Sequence, residues 1–138
     1  MARRDAILDS SIIIQHVRAG NKRNSILARS ELLFKHHLSV ISIYEIELGA
    51  YRSGRSSDLD ALQKSFIVLP FTKEMAMRTA RLDVDLIRRN LQIGIKDTMI
   101  AATCLVHNFP LLTVNVRHFN RVEGLQLIDL NTLPFIDE

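Results

Sequence analysis

Short apolar runs of strand length alternate along the chain with longer stretches whose apolar residues recur at helical spacing. We predict strands at five apolar runs, residues 6–8, 38–41, 66–69, 111–114 and 125–128. Regular alternation of strands and helices favours a parallel sheet with helices on both faces. The pattern therefore predicts an α/β fold, a three-layer α/β/α sandwich around a central, mostly parallel sheet.

The helical stretches begin at polar residues that can cap a helix. Ser10 or Ser11 caps the first predicted helix, which carries the apolar residues of 12–17. Further helices are predicted over residues 25–34, 42–51, 75–90 and 97–107. We interpret His36 and His37 as closing the end of the second helix, where an imidazolium is favourable. No repeat or linker divides the sequence, so we expect one domain over residues 1–138.

Composition excludes several classes of protein. Apolar residues make up 47% of the chain, enough for a core, and 3 Pro and 5 Gly argue against disorder or collagen. The apolar runs are far shorter than the ~20 residues that span a bilayer, and no apolar leader follows the basic N-terminus. A lone cysteine, Cys104, cannot form an internal disulfide. We therefore expect a cytoplasmic protein with no membrane partner.

The charge distribution favours a polyanionic partner. Eighteen Lys and Arg against fifteen Asp and Glu give a formal net charge of +3. Residues 123–138 hold four of the acids and no Lys or Arg, so the remainder of the chain carries +7. Most of the cations are arginine, whose planar guanidinium matches phosphate. Such a balance is compatible with nucleic acid, although many proteins are mildly basic without binding it.

Three acidic residues fall where a parallel α/β sheet binds its ligands, beyond the carboxyl ends of the strands. Asp9 follows the first predicted strand, Glu45 lies shortly after the second, and Asp97 opens a predicted helix. Each has a structural explanation when taken alone. Asp9 and Asp97 suit helix starts, and Glu45 completes the capping-box pattern S-x-x-E that begins at Ser42.

The combination of the three acids favours a metal site. Unpaired carboxylates that converge on one pocket repel each other unless they are protonated or share a cation. Hard divalent cations with oxygen ligands, Mg²⁺ or Mn²⁺, suit such a pocket. Because substrate phosphates commonly complete a Mg²⁺ site, an acidic pocket in a basic protein points to phosphodiester chemistry.

Four sequence segments carry a family resemblance. They read hydrophobic-LD-S-S at residues 7–14, S-x-x-S-x-x-E at 39–45, G-x-x-D-x-x-I-A-A at 94–102 and T-x-N-x-x-x-F-x-x-V-x-G-L at 113–125. In this order and with these gaps they resemble PIN-domain ribonucleases, specifically the VapC-type toxins of toxin–antitoxin pairs. The resemblance covers nearly the whole chain and implies a PIN-like α/β/α sandwich.

The resemblance also implies an activity and partners. It implies a Mg²⁺-dependent (or Mn²⁺-dependent) endoribonuclease, the toxin of a type II toxin–antitoxin system, that cleaves tRNA or other structured RNA. Asp9, Glu45 and Asp97 would be the metal-binding catalytic acids, and Asn115 would complete the site. A cognate antitoxin and a homodimer are expected with it.

Supporting roles follow from the same resemblance. Ser10 or Ser11 would orient Asp9 by hydrogen bonding, and Thr113 would do similar work. His118 stands where many relatives carry a fourth acid. Its imidazole could ligate Mn²⁺, contact RNA or lie exposed without a role. This departure leaves open a catalytically weakened PIN-like domain that binds RNA without cutting it.

Basic residues near the predicted acidic edge are candidates for RNA contact. We predict such contacts for Arg18, Arg52, Lys96, Arg117 and Arg121. Only 6% of the residues are aromatic, so few rings are available to stack on bases. We therefore expect recognition of RNA through its shape and phosphates.

Overall fold

The computed structural model describes residues 2–54, 60–62 and 64–137. Within them one parallel sheet is formed by β1 (Arg4–Leu8), β2 (Phe34–Ser39), β3 (Ile67–Leu69) and β4 (Leu111–Leu112). The strand order is β3-β2-β1-β4. Strands β2 and β3 therefore lie on one side of β1, and β4, the last strand in the sequence, pairs with β1 on its other side. This reversal creates a crevice at the carboxyl ends of β1 and β4.

Helices cover both faces of this sheet. They are α1 (Ser10–Arg18), α2 (Ile26–Ser30), α3 (Val40–Ser53), α4 (Lys73–Arg88), α5 (Ile95–His107) and α6 (Val116–Phe119). Because side chains alternate along a strand, Ala6 and Leu8 of β1 join the core under α1 to α3, whereas Ile7 joins the core under α4 and α5. The predicted three-layer sandwich is confirmed. No helix in the described part of the chain has the length and apolarity needed to cross a membrane.

The predicted boundaries around β2 are wrong. The strand spans Phe34–Ser39 rather than residues 38–41, and the helix before it spans only Ile26–Ser30 rather than residues 25–34. Phe34 pairs with Arg4 at the start of β1, so β2 begins four residues earlier than predicted and β1 two residues earlier. Leu32 and Leu33 do not belong to a buried helix face and are 54% and 41% exposed.

Strand β2 was not predicted in full because it contains two histidines, which are polar. His36 and His37 do not close a helix but lie buried within β2. His36 Nε2 lies 2.8 Å from Ser30 Oγ, and His37 Nε2 lies 2.8 Å from Asp5 Oδ1. Each hydrogen bond offsets part of the cost of burying an imidazole, which a hydropathy pattern cannot register. The Nδ1 of His37 is buried with no hydrogen-bond partner among the described residues.

The last apolar run, residues 125–128, does not form the predicted strand. It contributes one parallel bridge, from Leu127 to Leu111 of β4. Two backbone hydrogen bonds hold it, one from Leu111 N to Gln126 O and one from Ile128 N to Leu111 O. The run therefore borders the sheet beside β4 without extending it by a full strand.

Candidate active site

Three acidic side chains meet in the crevice where the strand order reverses. Asp9 directly follows β1, Glu45 lies in the second turn of α3, and Asp97 lies in the first turn of α5. One carboxylate oxygen of each lies within 4.8 Å of the others. Parallel topology thus brings together residues that are far apart in the sequence.

Asp9 is held by hydroxyl groups from two elements. It is 5% exposed, and its Oδ2 accepts hydrogen bonds from Ser11 Oγ at 2.7 Å and Thr113 Oγ1 at 2.8 Å. Backbone amides of the segment after β4 donate in turn to these hydroxyls, Val114 N to Ser11 and Asn115 N to Thr113. The carboxylate is therefore fixed and tied to the strand beside it.

Glu45 is the least satisfied of the three acids. Its side chain is half-buried, and its Oε1 is fully buried with no hydrogen-bond partner among the described residues. Burial raises the pKa of Glu45, and the charges of Asp9 and Asp97 raise it further. Lys96 and a hydrogen bond from Ser10 oppose this shift. Ser10 therefore donates a hydrogen bond to Glu45, whereas Ser11 donates one to Asp9.

The capping-box interpretation of Glu45 is wrong. Helix α3 begins two residues earlier than predicted, and its N-cap is Ser39, whose Oγ accepts a hydrogen bond from Ile41 N at 3.1 Å. Ser42 lies inside the helix, and its Oγ is buried without a partner among the described residues. Glu45 therefore does not cap α3, and its carboxylate lies in the pocket.

Asp97 is linked to the segment that follows β4. Its Oδ2 lies 3.2 Å from His118 Nδ1, and the same nitrogen lies 3.1 Å from Asn115 Nδ2. Burial raises the pKa of Asp97, the Asp9 charge adds to this, and the contact with His118 opposes it. The backbone is placed by Gly94, the N-cap of α5, at a φ of 94° that other residues rarely adopt.

The predicted RNA contacts occupy different settings. Lys96 is exposed beside the acids, with its Nζ 5.6 Å from the centre of the Tyr44 ring. Arg18, Arg52 and Arg117 are also exposed. Arg121 is half-buried and donates to the carbonyl of Gln92 at 3.0 Å, which ties part of its guanidinium to the protein.

A groove that the sequence analysis did not identify adjoins the acidic pocket. It has a volume of about 480 Å³ and runs between α1 and α3, from Glu45 past Gly49 to Ser53. Ile14, Val17 and Arg18 form its other wall. The small residues Gly49 and Ala50 on α3 are the sequence signal that could have indicated it, because small side chains leave space between packed helices.

The donor set fits a hard divalent cation. All three clustered donors are carboxylate oxygens. Burial raises the pKa of Glu45 and of Asp97, and the charge of Asp9 raises both further, so a cation among the three carboxylates would offset an unfavourable charge. Oxygen-rich carboxylate sites of this kind favour Mg²⁺ or Mn²⁺.

This fold and this acidic crevice define a class of protein. The PIN domain family matches residues 6–125, and the chain belongs to that family. Ribonuclease VapC1 of Rickettsia felis is 29% identical over 135 residues, which cover 91% of this chain and 96% of that protein. Ribonuclease VapC10 of Mycobacterium tuberculosis is 31% identical over 120 residues, 87% of this chain and 90% of that protein. Within the PIN family the chain is a VapC-type ribonuclease toxin.

Two further similarities concern substrate and fold. The tRNA(fMet)-specific endonuclease VapC of Salmonella typhimurium is 28% identical over 96 residues, 67% of this chain and 73% of that protein. The crystal structure of VapBC2 from Rickettsia felis, bound to a DNA fragment from its promoter, matches with a TM-score of 0.81. That match has 23% identity and covers 90% of this chain and 97% of the other, so it supports the fold.

Proposed function

We propose that this ribonuclease toxin cleaves RNA with a divalent cation held by Asp9, Glu45 and Asp97, Mg²⁺ by preference and Mn²⁺ as a substitute. The observation that carries the proposal is the clustering of three carboxylates, one with a buried oxygen that lacks any partner among the described residues. A cation bound there would lower the pKa of a bound water and stabilise charge on the scissile phosphate.

The protein residues have separate roles in this proposal. Asp9 is held in one orientation by Ser11 and Thr113, so it offers its oxygens without rearranging. Glu45 supplies a buried oxygen that has no hydrogen-bond partner among the described residues. At the mouth of the pocket, Asn115 and His118 are positioned to contact the RNA phosphate, because both lie on the segment that borders Asp97.

The substrate we propose is a structured RNA such as a tRNA. The exposed cations Arg18, Arg52, Lys96 and Arg117 support it, because exposed guanidinium and ammonium groups are available to contact phosphate. The similarity to a tRNA(fMet)-specific endonuclease supports the same class of RNA. Arg121 remains a predicted contact through the donors that Gln92 does not occupy.

We further propose that a cognate antitoxin docks on the groove between α1 and α3. Ile14 is 41% exposed there, and the groove ends at Glu45, so a bound peptide could reach the acids. Ile12 and Ile13 lie in the core, so Ile14 and Val17 are the apolar side chains that α1 contributes to the groove. The similarity to a VapBC complex supports such a partner.

A homodimer is proposed from the exposed apolar side chains along α4. Met77, Val84 and Ile87 are 58%, 46% and 51% exposed on that helix. Burial of such a stripe against a second copy would remove apolar surface from water. Light scattering of the purified chain should then give twice the mass of 15.7 kDa, and a monomeric mass would contradict the dimer.

Substitution of Asp97 by Asn tests the cleavage proposal. The purified Asp97→Asn variant should bind tRNA yet cut none of it, and its expression should not inhibit growth. Glu123→Gln, which neutralises an exposed acid elsewhere, should cut as the unsubstituted chain does. Cleavage by the unsubstituted chain should vanish with EDTA and return with Mg²⁺ or Mn²⁺.

Two results would contradict this proposal. Full activity of Asp97→Asn would remove that acid from the site. RNA binding without cleavage in either metal would instead favour the alternative of a weakened PIN-like domain that binds RNA.

A further inference from the structure

An exposed aromatic ring lies beside the acidic crevice. Tyr44 directly precedes Glu45 on α3, and 56% of its surface is exposed. Lys96 directly precedes Asp97 at the start of α5, and its Nζ lies over the Tyr44 ring, 5.6 Å from the ring centre. Phe119, in the segment after β4, is fully buried and offers no face to a ligand. Tyr44 therefore presents an aromatic face at the rim of the site.

Lys96 links this ring to the acids. Its positive charge opposes the raised pKa of Glu45 and of Asp97, so the ammonium lies near both carboxylates. The same ammonium lies within the ~6 Å over which a cation is attracted to the face of an aromatic ring. The ring and the acidic cluster thus share one cation, which places Tyr44 at the crevice.

The surroundings of the ring suit a flat apolar group that carries a negative charge. Val40, one turn earlier on the same side of α3, is 38% exposed and adds an apolar flank. The ammonium of Lys96 favours an anion beside the ring. A nucleotide combines these features, because its base has two apolar faces and its phosphate is negative. An apolar protein segment would cover the ring but would gain nothing from the ammonium.

We propose that Tyr44 stacks on the nucleobase of a nucleotide that adjoins the scissile phosphate, while Lys96 contacts a phosphate of the same nucleotide. Bases inside a duplex are already stacked on both faces, so this contact requires an unpaired nucleotide. Stacking on an aromatic ring accepts every base, so Tyr44 selects for an unpaired nucleotide rather than for a sequence. The inference rests on the proposed cleavage of RNA at the three acids and adds a base-binding residue to it.

RNA binding by a chain that does not cut tests this inference. Asp97→Asn is the parent of all variants, and the probe is a short unpaired oligouridylate that carries one 2-aminopurine, a base whose fluorescence falls when it stacks. Tyr44→Ala should raise the Kd for this RNA by roughly 5- to 100-fold, as expected for the loss of one base–aromatic stack. Tyr44→Leu, which keeps apolar bulk without an aromatic face, should lose affinity in the same way. Tyr44→Phe keeps the ring and should restore both the affinity and the quenching of 2-aminopurine.

Two controls separate this contact from general effects of the surface. Tyr51 lies further along the same helix and is 76% exposed, so Tyr51→Ala removes a matched tyrosine and should keep the Kd of the parent. An RNA duplex of the same length offers no free base, and Tyr44→Ala should not change its affinity. Circular dichroism checks that each variant is folded.

Each outcome decides a different statement. An unchanged Kd in Tyr44→Ala would overturn the stacking inference and leave the proposed cation site and cleavage intact. An equal loss in Tyr44→Phe would show that the hydroxyl is recognised instead of the ring, which also overturns the inference. An equal loss in Tyr51→Ala would overturn the placement of the contact at the crevice. Absence of RNA cleavage by the unsubstituted chain would overturn the proposed function, whereas the stacking result is read from binding alone.

Discussion

Substitution of Glu45 by Gln should stabilise the metal-free protein while it abolishes cation binding and cleavage. Gln keeps the shape of the side chain and removes its charge. The negative charge of Glu45 is unfavourable in the folded state because it is half-buried and faces Asp9 and Asp97. The raised pKa of Glu45 expresses the same cost, since the folded protein favours the protonated form.

The size of the effect follows from the geometry. One oxygen of each acid lies within 4.8 Å of the others, and two unit charges at that separation repel by about 3.5 kcal/mol at an effective dielectric constant of about 20. Glu45 faces two such charges. The pocket is open to water and Lys96 lies beside it, so screening reduces this sum severalfold. We expect a gain of roughly 1–3 kcal/mol, which corresponds to a rise in Tm of roughly 3–10 °C for a chain of this length.

Thermal unfolding followed by circular dichroism measures this gain, with EDTA present and at neutral pH. Saturating Mg²⁺ should raise the Tm of the unsubstituted chain and leave that of Glu45→Gln unchanged. Because the folded-state pKa of Glu45 is raised above its ordinary value of 4.5, the difference between the two proteins should shrink as the pH falls toward 4.5. Glu123→Gln serves as the matched control and should not alter Tm. A lower Tm of Glu45→Gln in EDTA would refute the electrostatic reasoning.

Three further predictions concern other parts of the structure. Thr113→Val removes one hydroxyl from Asp9 and should weaken Mg²⁺ binding by roughly 10- to 100-fold in calorimetry; unchanged affinity would contradict that positioning role. His36 is buried, and its pKa is lowered to about 4 by burial and by Arg3, so the protein should lose roughly 3 kcal/mol as the pH falls from 6.5 to 4. His36→Gln should flatten this acid limb in urea unfolding, and an equally steep limb would assign the loss to other groups. Arg29 lies 3.9 Å from the centre of the Phe135 ring, so Arg29→Ala should speed chymotryptic cleavage after Phe135; an unchanged rate would show that the contact does not hold the tail.

The sandwich could be predicted because its strands are short apolar runs set between helical stretches. β1 and the run that forms β4 are purely apolar at their centres, as strands buried on both faces must be. The sequence of β2 lacks this apolar pattern, because His36 and His37 are polar residues. Their burial depends on Ser30 and Asp5, partners that only the folded chain supplies. A hydropathy pattern therefore misplaces a strand whose histidines each gain a hydrogen bond only through tertiary contacts.

The site could be predicted in outline for a different reason. Topology alone places residues that follow parallel strands at one edge, so the convergence of Asp9 and Glu45 needed no atomic detail. The assignment of Ser10 to Glu45 and of Ser11 to Asp9 did require atomic detail. Successive residues of a helix point about 100° apart, so one serine meets Asp9 and its neighbour turns toward Glu45. The residue at which α1 begins decides which serine contacts Asp9 and which contacts Glu45. A sequence pattern predicts the start of a helix only to within a residue or two.

The three acids do not share the cost of their repulsion equally. Asp9 is the N-cap of α1 and Asp97 lies in the first turn of α5, so both charges are stabilised by the positive end of a helix. Glu45 lies in the second turn of α3, further from that end, and one of its oxygens is buried without a partner among the described residues. Burial raises the pKa of Asp97 as well, so we expect Glu45 to carry the largest share of the uncompensated charge rather than all of it. For the same reason a bound cation should stabilise the fold chiefly through Glu45, and Asp9→Asn, which also weakens two short hydrogen bonds, should not reproduce the gain in Tm expected of Glu45→Gln.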